Sequence, residues 1–180
     1  MVYILLAPGF EDAEALVPAD LLRRAGLDTA LTALVGEYVE SGHGITVKAD
    51  MTLDGVKLES GDMLMLPGGA AGYRNLGASS AVEALVKEAG QRNIWLAAIC
   101  AAPTLLGRWG LLEGKQAVCY PGMEKKLTGA VVPEEVPVVR DGNIITSRGA
   151  GTSFDFGLEL VRVLAGDEKA EEVRSSVCYR

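Results

Sequence analysis

A cysteine stands where an apolar run ends, in the sequence LAAICAAP, with Cys100 after Ile99 and two alanines before Pro103. Proline suits the first turn of a helix, so this pattern predicts a sharp turn from a strand into a helix with the thiol at its apex. There, free N–H groups and the positive end of the helix dipole would stabilise a thiolate and lower the thiol pKa. The alternative is a buried structural thiol, because free cysteines are among the most buried residues.

The acidic run Glu11-Asp12-Ala13-Glu14 supplies a second candidate group. Glu11 and Asp12 are adequately explained as charges at the start of a helix. Glu14 precedes the apolar run ALVP, so we expect its side chain to face the crevice or the sheet. Desolvation and a nearby thiolate would raise its pKa, and the neutral acid could donate a proton. An ordinary carboxylate in a first helical turn is the alternative.

Two glycines and an arginine are expected beside these groups. Gly68 and Gly69 end a strand in the run LPGG, where their N–H groups, with that of Ala101, could form an oxyanion hole. Arg148, in the run SRGAGT, is a supporting candidate whose side chain could pair with Glu14 or another acid.

The only histidine, His43, lies in a predicted hairpin, SGHGI, away from the carboxyl ends of the strands. A surface or interface role is therefore expected for it, and a Cys–His hydrolase is disfavoured. Acidic residues in the first loop also disfavour a flavin phosphate. Cys100, Cys119 and Cys178 are odd in number and widely spaced, which fits neither a disulfide framework nor paired zinc ligands. We expect reduced thiols, no metal and no cofactor.

The elements that must position these residues alternate between short apolar runs and amphipathic runs. Continuous apolarity in residues 2–7, 63–66 and 94–99 predicts parallel strands that are buried on both faces. The sequence therefore predicts a doubly wound α/β fold, with a mostly parallel sheet and helices on both faces. Two hairpins, with turns at Ser41-Gly42 and Asp141-Gly142, are expected at the sheet edge.

The loops that carry the candidate residues follow successive strands, so they are expected at the carboxyl edge of the sheet, where ligands bind in such folds. After the last of these loops, Thr152 is expected to cap a helix with Asp155 three residues on. That helix should bury Phe154, Leu158 and Val161 on one face and should end at Gly166.

The composition of the chain limits the classes of protein to which it can belong. The 180 residues are 49% hydrophobic, 23% charged and 6% aromatic, so we expect one globular domain over residues 1–180. A net charge of −7 with no basic run disfavours nucleic acid and anionic membranes as partners. The start of the chain shows neither a basic leader nor a cleavage site, and no apolar run approaches a membrane span. These features predict a cytoplasmic protein.

The motifs LAAICAAP, LPGG, FEDAE and TSRGAGTSFDF occur in an order that resembles the ThiJ/PfpI superfamily, specifically the branch of the parkinsonism-associated protein deglycase and its bacterial relatives. The resemblance covers nearly the whole chain. It implies a flavodoxin-like homodimer in which Cys100 is the nucleophilic, oxidation-prone cysteine. It also implies that Glu14 is the protonated glutamate beside that cysteine, and that Gly68 and Gly69 are the oxyanion-side glycines.

Two residues depart from the family pattern. Tyr120 stands where the parkinsonism-associated protein has a histidine, which argues against a histidine-assisted protease mechanism. Ala102 replaces a usual glycine and is expected to narrow the pocket slightly.

The resemblance implies cofactor-free conversion of methylglyoxal or glyoxal to lactate or glycolate, or release of their adducts from amines and thiols. The alternative is a redox-responsive stress protein or chaperone whose Cys100 is oxidised without turnover.

Overall fold

A seven-stranded sheet, covered by helices on both faces, forms the centre of the protein. The computed structural model describes residues 1–180. The strands are β1 (Val2–Leu6), β2 (Thr29–Ala33), β3 (Tyr38–Glu40), β4 (Thr46–Lys48), β5 (Met51–Thr52), β6 (Met63–Leu66), β7 (Trp95–Ile99), β8 (Val138–Asp141) and β9 (Ile144–Ser147). The helices are α1 (Asp12–Arg24), α2 (Gly72–Ala78), α3 (Ser80–Gln91), α4 (Pro103–Arg108), α5 (Ser153–Ala165) and α6 (Asp167–Ser176).

The strand order in the large sheet is β5-β2-β1-β6-β7-β9-β8, and every pair is parallel except β8 with β9. The register pairs Leu66 with Ala98, and Ile99 with Ser147, so β6, β7 and β9 end nearly level with one another. The predicted doubly wound, mostly parallel sheet is therefore confirmed.

Each buried strand contributes side chains to two separate cores because successive residues point to opposite faces. In β1, residues 2, 4 and 6 pack with α1, α5 and α6, whereas residues 3 and 5, with Ala7 just after the strand, pack on the side of α2, α3 and α4. Helices α1 and α5 approach closely at Gly157, where an added Cβ would lie 2.7 Å from Leu21 Cδ1. This contact packs the second half of α1 directly against α5.

Both predicted hairpins form, but only one lies at the edge of the large sheet. Strands β8 and β9 form the edge hairpin, with Gly142 in its turn at a φ of 60°. Strands β3 and β4 instead make a separate two-stranded sheet. That hairpin packs on the first loop of the chain, since Gly9 N–H donates to Glu40 O and Gly42 N–H donates to Phe10 O, both at 2.8 Å. The expected edge position is wrong for this first hairpin.

The expected cap of the last long helix is also wrong. Helix α5 starts at Ser153, and the Thr152 hydroxyl donates to Gly149 O at 2.8 Å instead of capping the helix. Phe154 was expected to be buried, yet it is 36% exposed and stacks on Tyr179 with the ring centroids 5.0 Å apart. The expected inward residues Leu158 and Val161 are buried.

Helix α5 ends where the sequence predicts, at Gly166, whose φ is 90°.

No helix of this protein combines the length and apolarity needed to cross a membrane.

Candidate functional site

The four loops predicted to share one edge of the sheet lie there together. They follow β1, β6, β7 and β9, which are neighbours in the sheet order. Two backbone hydrogen bonds tie the loops to one another: Glu11 N–H donates to Gly68 O at 3.2 Å, and Cys100 N–H donates to Ser147 O at 3.0 Å. The candidate residues on these loops are thereby held at one place.

Cys100 occupies the apex of a strand-to-helix turn. Its φ is 65°, a left-handed conformation that costs a residue other than glycine about 1–3 kcal/mol. The turn is held because the Cys100 carbonyl accepts a hydrogen bond from Tyr120 N–H at 2.7 Å. Pro103 then begins α4, and the thiol is partly buried. The predicted elbow is confirmed.

Glu14 is placed by the first turn of α1 and is 1% exposed. The Glu11 side chain caps this helix by accepting a hydrogen bond from Glu14 N–H at 2.7 Å. Gly68 N–H donates to Glu14 Oε2 at 2.9 Å, and the Ala150 N–H and the Cys100 thiol lie close enough to the carboxyl group to lower its pKa. Glu14 therefore joins three of the four loops, and the expectation that it faces the crevice is confirmed.

The electrostatics of Glu14 and Cys100 are those of a coupled pair. Burial raises the pKa of Glu14 to about 7, the charge of Glu11 adds to this effect, and the hydrogen bonds from Cys100 and Gly68 oppose it. Burial, followed by the charge of Glu14, raises the pKa of Cys100 to about 12. The expectation of a lowered thiol pKa is wrong because the thiol is buried and lies beside a carboxyl group. Between these two pKa values, the pair carries one proton and one negative charge.

Three N–H groups surround the pair, but they do not act on the same atom. Gly68 N–H is used by Glu14, which gives Gly68 a different role from the expected oxyanion donor. The N–H groups of Gly69 and Ala101 are directed at the Cys100 sulfur, where they favour the thiolate. There is no room for a side chain at Gly68, since an added Cβ would lie 2.5 Å from Glu14 Oε2 and 2.6 Å from Cys100 Cβ.

Tyr120 and Gly149 form one side of the site. A Cβ added at Gly149 would lie 3.6 Å from the Tyr120 ring and 3.8 Å from Glu14 Oε1, so this glycine separates the ring from the carboxyl group. Tyr120 is 52% exposed, which places its ring at the mouth of the site. Gly149 was noted in the sequence only as part of the loop that carries Arg148, and Ala150 was not singled out. The glycine-rich run after β9 was the available signal, but it cannot specify which N–H group reaches Glu14.

Arg148 does not pair with Glu14 or with any other acid at ion-pair distance, contrary to expectation. It is partly buried and lies between two surface cavities, one of which is also lined by Tyr120 and the other by Cys119.

His43 lies closer to the site than its hairpin position suggested, although it does not reach Cys100. Its Nδ1 is 2.6 Å from Asp12 Oδ2, and that hydrogen bond, with the Asp12 charge, raises the pKa of His43. Glu11, Asp12 and His43 have potential metal-ligand atoms within 4.8 Å of one another. Glu11 and Asp12 already accept hydrogen bonds from Glu14 N–H and His43, and we assign the cluster no ion.

The remaining thiols differ from Cys100 in their surroundings. Cys119 is 3% exposed, and burial raises its pKa to about 12, whereas Cys178 is exposed near the end of the chain. Ala102 was expected to narrow the pocket, yet its side chain is fully buried in the core beneath α4. That expectation is wrong.

Known proteins are similar to this chain over nearly its whole length. The chain is 40% identical to Protein dj-1beta of Drosophila melanogaster over 172 residues, covering 94% of this chain and 92% of that protein. The crystal structure of Drosophila melanogaster DJ-1beta superposes with a TM-score of 0.94 at 37% identity, covering 99% of this chain and 97% of that chain, which confirms a flavodoxin-like fold. The glutathione-independent glyoxalase DJR-1.2 of Caenorhabditis elegans is 31% identical over 176 residues, covering 97% and 94% of the two chains. Residues 1–163 match the DJ-1/PfpI family, and the chain belongs to that family.

Proposed function

We propose that this protein is a cofactor-free glyoxalase or deglycase that acts on methylglyoxal, glyoxal or their adducts. One observation carries the proposal: the buried Glu14 carboxyl group and the Cys100 thiol lie side by side against Gly68, where an added Cβ would be 2.5 Å from Glu14 Oε2 and 3.0 Å from Cys100 Sγ. A nucleophile and a proton donor are thus adjacent at the carboxyl edge of the sheet, where the thiol is partly exposed. The similarity to a relative named as a glyoxalase supports the same reaction class.

The first step joins the thiol to the substrate. In the reactive form, Glu14 holds the proton and the negative charge lies on Cys100 Sγ, which receives hydrogen bonds from Gly69 and Ala101 N–H. The thiolate forms a bond to the aldehyde carbon, and the Glu14 proton passes to the aldehyde oxygen. The product is a neutral hemithioacetal, and Glu14 becomes a carboxylate that can serve as a base.

The second step moves a proton between adjacent carbons. The Glu14 carboxylate takes the proton from the former aldehyde carbon and returns it to the neighbouring carbonyl carbon, while the hydroxyl proton of the first carbon passes to the carbonyl oxygen of the second. The first carbon is oxidised to a thioester while the second is reduced to an alcohol, so no external oxidant or reductant is needed. Water then cleaves the thioester, releasing lactate from methylglyoxal or glycolate from glyoxal and restoring the Cys100 thiol.

The test is to incubate the protein with methylglyoxal and to measure lactate over many turnovers. We expect Cys100→Ser to abolish lactate formation, because an alcohol is far less nucleophilic than a thiolate. Cys178→Ser, which removes an exposed thiol elsewhere, should retain the wild-type rate. Absence of lactate with the wild type, or full activity in Cys100→Ser, would contradict the proposal. A parallel reaction with the methylglyoxal adduct of N-acetylcysteine separates deglycase activity from activity on the free aldehyde.

A redox-responsive stress protein is the second candidate function. It is favoured by the partial exposure of Cys100, which gives peroxide access, and by the adjacent Glu14, which in its neutral form can donate to a sulfinate oxygen. Mass spectrometry after limiting peroxide should then find sulfinate at Cys100 alone, and Glu14→Leu should allow further oxidation to sulfonate. Repeated turnover of methylglyoxal separates the enzyme from a sensor or chaperone.

We also propose that the protein is a homodimer, as family membership suggests. Light scattering at micromolar concentration should give twice the 18.9 kDa mass of the chain, and a monomer mass would contradict this.

A further inference from the structure

A second cavity, separate from the Cys100 site, is lined by cationic side chains. It lies between α2, α4 and the 3₁₀ turn Glu124–Lys126, and it has a volume of about 410 Å³. Arg108, Lys125 and Lys126 line it together with the hydroxyl residues Tyr73 and Thr128. No aspartate or glutamate is among the lining residues. Three cations without an acid are unexpected in a chain whose net charge is −7.

The cationic side chains of this cavity have no carboxylate partners. Every ion pair of the protein within 4.0 Å involves other basic groups. Glu124 precedes Lys125, but its Oε1 accepts Gly122 N–H at 2.9 Å. Glu83 acts on Arg108 only beyond ion-pair distance. Like charges that share one cavity repel, so a bound anion would relieve an unfavourable interaction.

Arg108 is held in place before any ligand arrives. Its Nη2 donates to Gly77 O, and its guanidinium lies over the Trp109 ring, 5.4 Å from the centroid. The remaining N–H groups of the guanidinium are free to form hydrogen bonds. The hydroxyl groups of Tyr73 and Thr128 also make no hydrogen bond within the protein and can donate to an acceptor in the cavity. A fixed guanidinium with neighbouring ammonium groups is an arrangement suited to phosphate oxygens.

We propose that this cavity binds the phosphate monoester group of a small organic molecule. Three positive charges complement the two negative charges that such a group carries near neutral pH. The volume is in the range of small-molecule sites and exceeds what a phosphate group alone would fill, so it leaves room for the organic part beside the Leu105 side chain. The cations are gathered in one cavity, which suits a compact ligand, whereas the overall negative charge opposes a long polyanion.

The binding test uses isotope-labelled protein titrated with inorganic phosphate or glycerol 3-phosphate at constant ionic strength, with amide resonances followed by NMR. We expect saturable shifts at Thr128 and its neighbours, with tighter binding of glycerol 3-phosphate. Lys125→Gln/Lys126→Gln should weaken binding by about tenfold or more, since it removes two charge-assisted contacts. Lys48→Gln/Lys169→Gln removes the same charge elsewhere and should change the affinity by less than about twofold.

Three results would overturn the inference. One is a linear, non-saturating shift at the cavity, and another is equal weakening by the two double variants, which would indicate a general charge effect. The third is equal affinity for phosphate and glycerol 3-phosphate, which would remove the assignment to a monoester. None of these lysines is buried, so folding can be verified from the unshifted remainder of the spectrum.

Discussion

The proton shared by Glu14 and Cys100 predicts an unusual pH dependence for alkylation of the thiol. If the anionic form of the pair carries its charge on sulfur, reactivity should follow the first ionisation of the pair, at a pKa of about 7. If the proton stays on sulfur, reactivity should follow the thiol pKa of about 12 instead. The decisive perturbation is Glu14→Gln, because glutamine preserves the shape of the side chain but cannot hold the transferable proton.

The two outcomes differ greatly in magnitude. With an apparent pKa of about 7, the pair is already about three-quarters ionised at pH 7.5, so the rate should rise only about 1.3-fold by pH 9.5. A thiol with a pKa of about 12 would react about 100-fold faster over the same interval. In Glu14→Gln the thiol ionises alone against the burial penalty. We therefore expect the rate at pH 7.5 to fall about tenfold or more and then to rise about tenfold per pH unit.

The assay is the second-order rate of iodoacetamide labelling at Cys100, followed by mass spectrometry of the Cys100 peptide. His43→Gln removes the only imidazole and should leave the curve unmoved, because His43 contacts Asp12 and not the pair. Tyr120→Phe should also keep the thiol reactive, since the Tyr120 contact with Cys100 is through the backbone. A log-linear rise in the wild type would refute the shared-proton reasoning. A shift of a full pH unit in His43→Gln would show that the hairpin reaches the site, from this chain or from a second subunit.

Further expected outcomes concern crowding, stability and thiol selectivity. Gly68→Ala should lower methylglyoxal turnover about 100-fold or more by displacing Glu14, whereas Gly151→Ala, where an added Cβ meets nothing within 4 Å, should stay within about twofold. In the folded protein the pKa of Glu14 is about 7, above the ordinary value of 4.5. The free energy of unfolding of the wild type, compared with that of Glu14→Gln, should therefore fall by about 3 kcal/mol as the pH rises from 4.5 to above 7. Chemical denaturation at several pH values checks this, and a constant difference would contradict it. Limiting iodoacetamide at pH 7.5 should label Cys100 before the other two thiols, and preferential labelling of either would contradict the elbow argument.

The sheet and the position of the candidate site follow from local sequence patterns. Continuous apolar runs indicate strands that are buried on both faces, and parallel strands bring their following loops to one edge. Small residues and a proline after Cys100 indicate the elbow. Glu14 could be selected because an acid that precedes an apolar run in the first turn of a helix must lie near the sheet.

Other features depend on contacts between distant segments, which local patterns do not specify. Nothing in the run LPGG indicates that Gly68 N–H binds Glu14, because hydrogen-bond direction depends on how two loops pack. Docking of the β3–β4 hairpin on the first loop likewise requires backbone bonds from Gly9 and Gly42. Thr152 is a different case: it has the residue type and spacing of a cap, yet its hydroxyl donates to Gly149 O, only three residues away. Two local hydrogen bonds compete there, and the sequence pattern does not specify which one forms.

The backbone at Cys100 distinguishes this residue from the others that have a positive φ. Four residues other than glycine have a positive φ, namely Asn93, Cys100, Glu135 and Cys178. All except Cys100 are exposed, and none of them follows a central strand directly. Glycine would adopt the Cys100 conformation without strain, so packing alone gives no reason for a side chain there. The strained turn places Sγ beside Glu14 and the N–H groups of Gly69 and Ala101. The strain at Cys100 and the burial of the Glu14 carboxyl group thereby keep the two side chains in a position to exchange one proton.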